Sequence, residues 1–214
     1  IPELVNLPLR PVETSSFEHS QNIDDFIAGN DISHRVRWWE QVSQQHDGDD
    51  VAIYSFYSLY LDSLGYSKAM IGSLWALSVA VEVLGFLTQG RWLHLLTLSK
   101  WIWVCACALL LRMILIAVGA ESLWVLALAQ VLHTATFAIH HSVCISWLSK
   151  HFPARLRGRG QALYSIIGYG ATGMLGALGG GYISEHWGLS TVFVVAIPVA
   201  SLAVLGAWRL QKVH

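Results

Sequence analysis

Charge is what this chain has least of. Of its 214 residues, 13% are Asp, Glu, Lys or Arg and 54% are hydrophobic, whereas an average soluble domain is roughly 25% charged. So few charges cannot clothe a water-facing globule, and the composition is that of a chain whose solvent is lipid. The net charge of −1 gives no bulk attraction to nucleic acid, so where the basic residues lie matters more than their number. Cysteine is scarce too: Cys105, Cys107 and Cys144 all fall inside apolar runs, where they act as small hydrophobes. Cys105 and Cys107 point to opposite sides of a helix, and there is no second pair, which excludes a disulfide scaffold or a zinc knuckle. The chain also lacks a Gly-x-Ser-x-Gly turn and a His-Glu-x-x-His helix, so an intramembrane enzyme is the weakest of the functional readings. The spacing of His133, His140 and His141 does not match the His clusters of membrane desaturases; neither metal nor cofactor is expected.

Long apolar runs are what the chain has instead. A spanning helix needs about 20 mostly apolar residues, and five such runs follow one another: 69–92, 101–119, 122–148, 161–183 and 191–208. Short turns separate them, "LHLLTLSK", "GAES", "SKHFPARLRGRG" and "SEHWGLS". Residues 1–34 mix prolines, acids and small polar residues without periodicity and read as a linker in water on the cytoplasmic side. Residues 35–214 read as the membrane unit. Residue 1 is not Met and no signal-peptide pattern precedes a span, so the sequence reads as a piece of a longer product.

Residues 38–61 fit least well. The second half is apolar and aromatic, but the first carries Glu40, His46, Asp47, Asp49 and Asp50, and ionisable groups in the bilayer centre cost several kcal/mol each. Two readings stand: an atypically polar first helix that lines a cavity behind its neighbours, or a degenerate span of which only the aromatic half enters the membrane. Loop charges favour the first. Arg91 and Lys100 flank one connection, Lys150, Arg155, Arg157 and Arg159 crowd another, and Arg209 and Lys212 lie in the tail, while the alternate connections hold only Lys68. The positive-inside rule makes the basic ends, and the C-terminus, cytoplasmic. Six helices then place the linker inside as well; five would leave it outside.

Polar residues within the spans are few: Glu82, Arg112, Gln130, His133, His140 and His141. On a straight 3.6-residue helix, His133 and His140 nearly align, with Gln130 and Phe137 on the flanks of that face and His141 turned away by one residue. Buried ionisable groups in membranes find one another, so Glu82, Arg112 and the histidines are expected to form one network, with the Glu82 carboxylate held by Arg112. Glu82, His133 and His141 each allow two readings, a satisfied packing group or a proton-handling group. Arg112 cannot readily deprotonate and needs a partner. In the fourth run, Thr172, Gly176 and Gly180 recur at spacing four, a small-residue ridge suited to close helix packing or to helix sliding.

"YSFYSLYLDSLGYSKAMIGSLWALSVAVEVLGF", an arginine at Arg112, then "QVLHTATFAIHH" and "RGRGQALYS" together resemble the C-terminal half, helices seven to twelve, of a major facilitator superfamily transporter. The branch is that of 3-phenylpropionate permease-like proton symporters, related to nucleoside symporters, and the resemblance covers about three quarters of the chain. In its Gln-x-Leu-His, Phe, His pattern the matching residues are Gln130, His133, Phe137 and His141. The resemblance implies an all-α, six-helix half of a transporter that closes with an N-terminal half around a midplane site, in a bacterial inner membrane. It implies proton-coupled transport of a small organic solute, an aromatic carboxylate or a nucleoside. Glu82, Arg112, His133 and His141 become candidates for proton coupling or substrate binding. Tyr54, Tyr57, Trp75, Gln130 and His140 become candidates for the cavity wall. The sequence departs from the family in lacking the N-terminal half and in its "WWEQVSQQHDGDD" start, and a non-transporting membrane subunit is the alternative these departures favour.

Overall fold

The computed structural model describes residues 55–212, and every regular element among them is helical. The expected linker over 1–34, the acidic start of the first helix and Tyr54 lie outside the described residues. The described part of the first helix, α1 (residues 55–63), is its aromatic half. Next come α2 (Lys68–Trp92), a 3-10 turn (Leu93–Leu95) and α3 (Leu98–Gly119). Then α4 (Leu123–Val131) runs through a π-helical segment (Thr134–Ile139) into α5 (His140–His151). Similarly, α6 (Ala154–Tyr164) runs through a second π segment (Ser165–Ala171) into α7 (Thr172–Trp187), and α8 (Leu189–Lys212) closes the chain.

Among the described residues, five stretches are long and apolar enough to cross a bilayer: Lys68–Leu95, Leu98–Gly119, Leu123–His151, Ala154–Trp187 and Leu189–Lys212. They are the five expected runs, with helix carried into most of the expected turns. The largest difference is at 149–160, read from sequence as a loop. Here α5 continues to His151, and α6 starts at Ala154. Arg and Leu are good helix formers, so the break shrinks to Phe152 and Pro153, where proline ends the preceding helix. Elsewhere the ends are cut by side chains and glycine. Ser67 and Thr97 cap α2 and α3 by accepting from the amides of Met70 and Lys100. Gly65 and Gly188 turn the chain at φ 85° and 89°, a left-handed conformation that glycine adopts without strain.

Packing is organised around α3, which lies along α8 and against α4, the first π segment and α5; α2 packs on α4 and that same π segment, and α7 on α8. Two apolar clusters result. One gathers Tyr57, Leu61, Met113, Ile116, Leu126 and Phe193; the other gathers Ile102, Trp147, Phe152, Leu156 and Leu210 at the end where the basic residues lie. Where the clusters meet, the buried residues are polar: Arg112, Gln130, His133, Thr136 and His140. Leu84, Leu87, Val118, Trp124 and Leu178 face outward, as side chains against lipid do.

The small-residue ridge divides along its length. Thr172, whose hydroxyl donates to the Gly168 carbonyl, and Gly176 are half-buried. Gly180 is buried against α1, and a Cβ there would stand 2.4 Å from the Phe56 ring. It is a position of close helix approach.

Candidate functional site

The site begins with a glycine. On α2, Gly85 faces the first π segment so closely that a Cβ would sit 2.7 Å from Thr134 Cγ2 and 3.1 Å from Ala138 Cβ. Its missing side chain lets α2 approach that segment. Glu82, one turn earlier on the same face, then reaches His133: its Oε2 lies 3.4 Å from His133 Nε2. His133 is 1% exposed and Glu82 21%, so the carboxylate is the more open end of the pair.

Arg112 meets the other side of the histidine. One terminal nitrogen lies 3.1 Å from His133 Nδ1 and donates to Thr136 Oγ1 at 3.0 Å, and the other donates to Gln130 Oε1 at 3.4 Å. A guanidinium has donors only, so His133 Nδ1 must be the acceptor. The ring proton therefore sits on Nε2 and points at Glu82. The result is a directed chain, Arg112 to His133 to Glu82. No direct Glu82–Arg112 ion pair forms, which corrects the expectation that Arg112 holds the carboxylate: the imidazole stands between them.

The π segment also corrects the expected histidine face. A π turn is wider than an α turn, so residues four apart come into line. His133 stacks on Phe137 with ring centres 5.4 Å apart, and Phe137 stacks on His141 at 6.2 Å. His140, expected beside His133, is instead wholly buried with Nε2 3.6 Å from Cys144 Sγ. The spare carbonyls of such a turn need donors; the Thr136 hydroxyl lies 3.4 Å from the His133 carbonyl and serves as one.

From His141 a second polar path leads away. Its Nδ1 is 3.4 Å from the Tyr169 hydroxyl, which is 3.3 Å from that of Tyr164. Phe86, Phe137 and these two tyrosines form a ring of aromatic edges and faces around His141. Of the remaining expected residues, Tyr57 is wholly buried against the edge of Trp75, with ring centres 5.7 Å apart. Trp75 Nε1 donates to Ser58 Oγ at 2.9 Å, which ties α2 to α1. Gln130 is wholly buried beside Arg112. Gly85, Thr136, Tyr164 and Tyr169 are the site residues that sequence reasoning missed. "GYSKAMIG" and "LGF" look alike as glycines in apolar runs, and the tyrosines lie at the start of the second π segment and within it, on a different span from the histidines, beyond reach of a 3.6-residue wheel.

The comparisons with known proteins agree with this architecture. The sequence profile described as the MFS_1 like family matches residues 51–195, which hold the whole polar chain and both π segments. A probable 3-phenylpropionic acid transporter of Escherichia coli (strain K12) is 24% identical over 150 residues, covering 70% of this chain and 39% of that protein. The matched region thus spans well under half of that relative's length. No solved structure matches. Helices of spanning length, a buried polar centre and a profile match over more than half of the sequence converge: this is an integral membrane protein, built as half of a major facilitator fold, and it belongs to the MFS_1 like family of transporters.

Proposed function

We propose that this chain forms the C-terminal half of a proton-coupled importer of small organic acids, with Glu82 as the proton carrier. One observation supports this above the rest: the directed chain Arg112–His133–Glu82, buried at one end and open at the other. Arg112 commits its donors to Gln130, His133 and Thr136. His133 cannot take up a proton on Nδ1 without giving up Arg112. Glu82 can gain or lose one and keep its place, because a carboxyl group still offers an acceptor oxygen to His133 Nε2–H. A proton on Glu82 thus changes the charge facing the cavity without dismantling the site, as a symporter requires when its cavity changes sides.

The substrate reading is an aromatic carboxylate. The rings of Phe86, Phe137, Tyr164 and Tyr169 supply faces and edges for an aromatic body. Nearby, Arg112 supplies the positive field that draws a carboxylate toward the site. The relative named for 3-phenylpropionic acid points the same way. In this reading an N-terminal half forms the other wall of the cavity in a bacterial inner membrane, and the basic ends at Arg91, Lys150 and Lys212 favour a cytoplasmic C-terminus. The test is uptake of a radiolabelled 3-phenylpropionate-like acid by liposomes carrying a full-length transporter rebuilt around this half. An inward proton gradient should raise accumulation at least about tenfold over no gradient, a decade corresponding to about 1.4 kcal/mol of driving force. Gradient-independent uptake would contradict the proposal.

A further inference from the structure

A second polar site lies far from the first. At the basic end of the bundle, a cavity of about 330 Å3 opens between Thr97, Leu98 and Ser99 at the start of α3 and Trp147, Lys150 and His151 at the end of α5. It is about 20 Å along α3 from Arg112, at the helical rise per residue, and takes no part in the chain that reaches Glu82. We propose that this cavity holds the phosphate of an anionic phospholipid.

The lining groups favour an anion. By helix geometry the first amides of α3, those of Leu98 and Ser99, have no intrahelical acceptor. They sit at the positive end of a 22-residue helix. Thr97 turns its hydroxyl back to the Lys100 amide and leaves these two open. Ser99 is only 7% exposed, lines the cavity and has no hydrogen-bond partner for its hydroxyl among the described residues. A hydroxyl that opens onto the cavity and makes no bond within the bundle can donate to an anion held there. Lys150 stands exposed at the mouth, and among the described residues no carboxylate lines the cavity. His151 is fixed in place, its Nδ1 donating to the Trp147 carbonyl at 2.9 Å and its ring stacked on that indole at 4.1 Å.

The rest of the surroundings favour a lipid over a bare ion. Leu96, Leu98 and Trp147 give the cavity apolar walls, and Leu96 and its chain neighbour Leu95 are exposed. At the same level Trp92 and Trp101 pack edge to face, with their indole N–H groups on the carbonyls of Gly85 and Leu93. Tryptophans gather where a bilayer meets water, and basic pockets between spans at that level take anionic headgroups. A phosphodiester fits the donors, and its acyl chains continue along the exposed leucines.

The inference is independent of what the bundle transports. Its test is native mass spectrometry of the full chain, purified in detergent and titrated with phosphatidylglycerol or phosphatidylcholine. Phosphatidylglycerol should be retained as one tightly held molecule per chain and phosphatidylcholine should not. Lys150→Ala should weaken retention about fivefold, the weight of one lysine near an anionic surface. Ser99→Ala, which removes only the hydroxyl, should weaken it as well, whereas Lys68→Ala at the opposite end should change nothing. Equal retention of the two lipids, or full retention by both cavity variants, would overturn the proposal. So would displacement of phosphatidylglycerol by millimolar inorganic phosphate, which would make this a site for the free anion.

Discussion

The spans Leu123–His151 and Ala154–Trp187 each widen into a π-helical turn partway along, at Thr134–Ile139 and Ser165–Ala171, and what surrounds the two turns differs. The first is enclosed: α2 approaches it through Gly85 and α3 lies against it. It carries Thr136 and Ala138 fully buried, and His133 leads into it. The second is peripheral. It offers Tyr169 to His141 and then continues into a helix whose Met174, Leu175 and Leu178 are exposed. The second π turn thus lends the site one ring, that of Tyr169, while the first holds the buried polar chain itself. A π turn becomes the centre of a site where neighbouring helices come close enough to partner the side chains it realigns.

That difference can be tested by damage. Replacing Arg112 with Ala should have the largest effect, because it strips Gln130, His133 and Thr136 of a shared donor and leaves His133 free to change tautomer. In the rebuilt transporter, initial uptake should fall by about 100-fold or more, equivalent to about 2.7 kcal/mol; radiolabelled uptake checks it. Gly85→Ala should come next. The added methyl meets Thr134 and Ala138, and overpacking of this kind costs about 1–3 kcal/mol. Detergent-solubilised protein should unfold at lower temperature and lose most transport, and Thr134→Ser in the same chain, which removes the clashing methyl, should restore both.

On the peripheral span the effects should be smaller and confined to stability. Gly180→Ala drives a methyl into Phe56 and should lower stability by about 1–2 kcal/mol, read as an earlier thermal transition in detergent. Gly181→Ala points into open space and should leave unfolding unchanged. If the two glycine variants behave alike, the ridge is not divided between a packed and an open side.

How much of this was legible follows from the kind of signal each feature leaves. The five spans are written in run length and hydropathy, and the ends of most of them in Ser67, Thr97, Pro153 and Gly188. The membership of the polar chain was legible as well, because Glu82, Arg112, Gln130 and His133 stand out against apolar neighbours. Its connectivity was not. A helical wheel assumes 3.6 residues per turn, and the π segment breaks that assumption where the histidines lie, so the wheel aligns His140 with His133 and turns His141 away, while the family resemblance pairs His133 with His141. The order Arg112–His133–Glu82 depends on how deeply each helix sits, which Gly85 decides, and a single glycine among eighteen carries no label for that role. Tyr164 and Tyr169 were hidden for a similar reason, since they join the site from a helix that only the fold brings near.

The central claim is that Glu82 carries the proton while Arg112 and His133 hold it in place. The most direct test is Glu82→Gln in the rebuilt transporter, measured by two assays in the same liposomes. Accumulation of substrate driven by a pH gradient should vanish, while exchange of labelled for unlabelled substrate, which needs no net proton movement, should proceed within about twofold of the parent rate, a difference of under half a kcal/mol. Undiminished accumulation by Glu82→Gln would contradict the account and leave the carboxylate as a packing group.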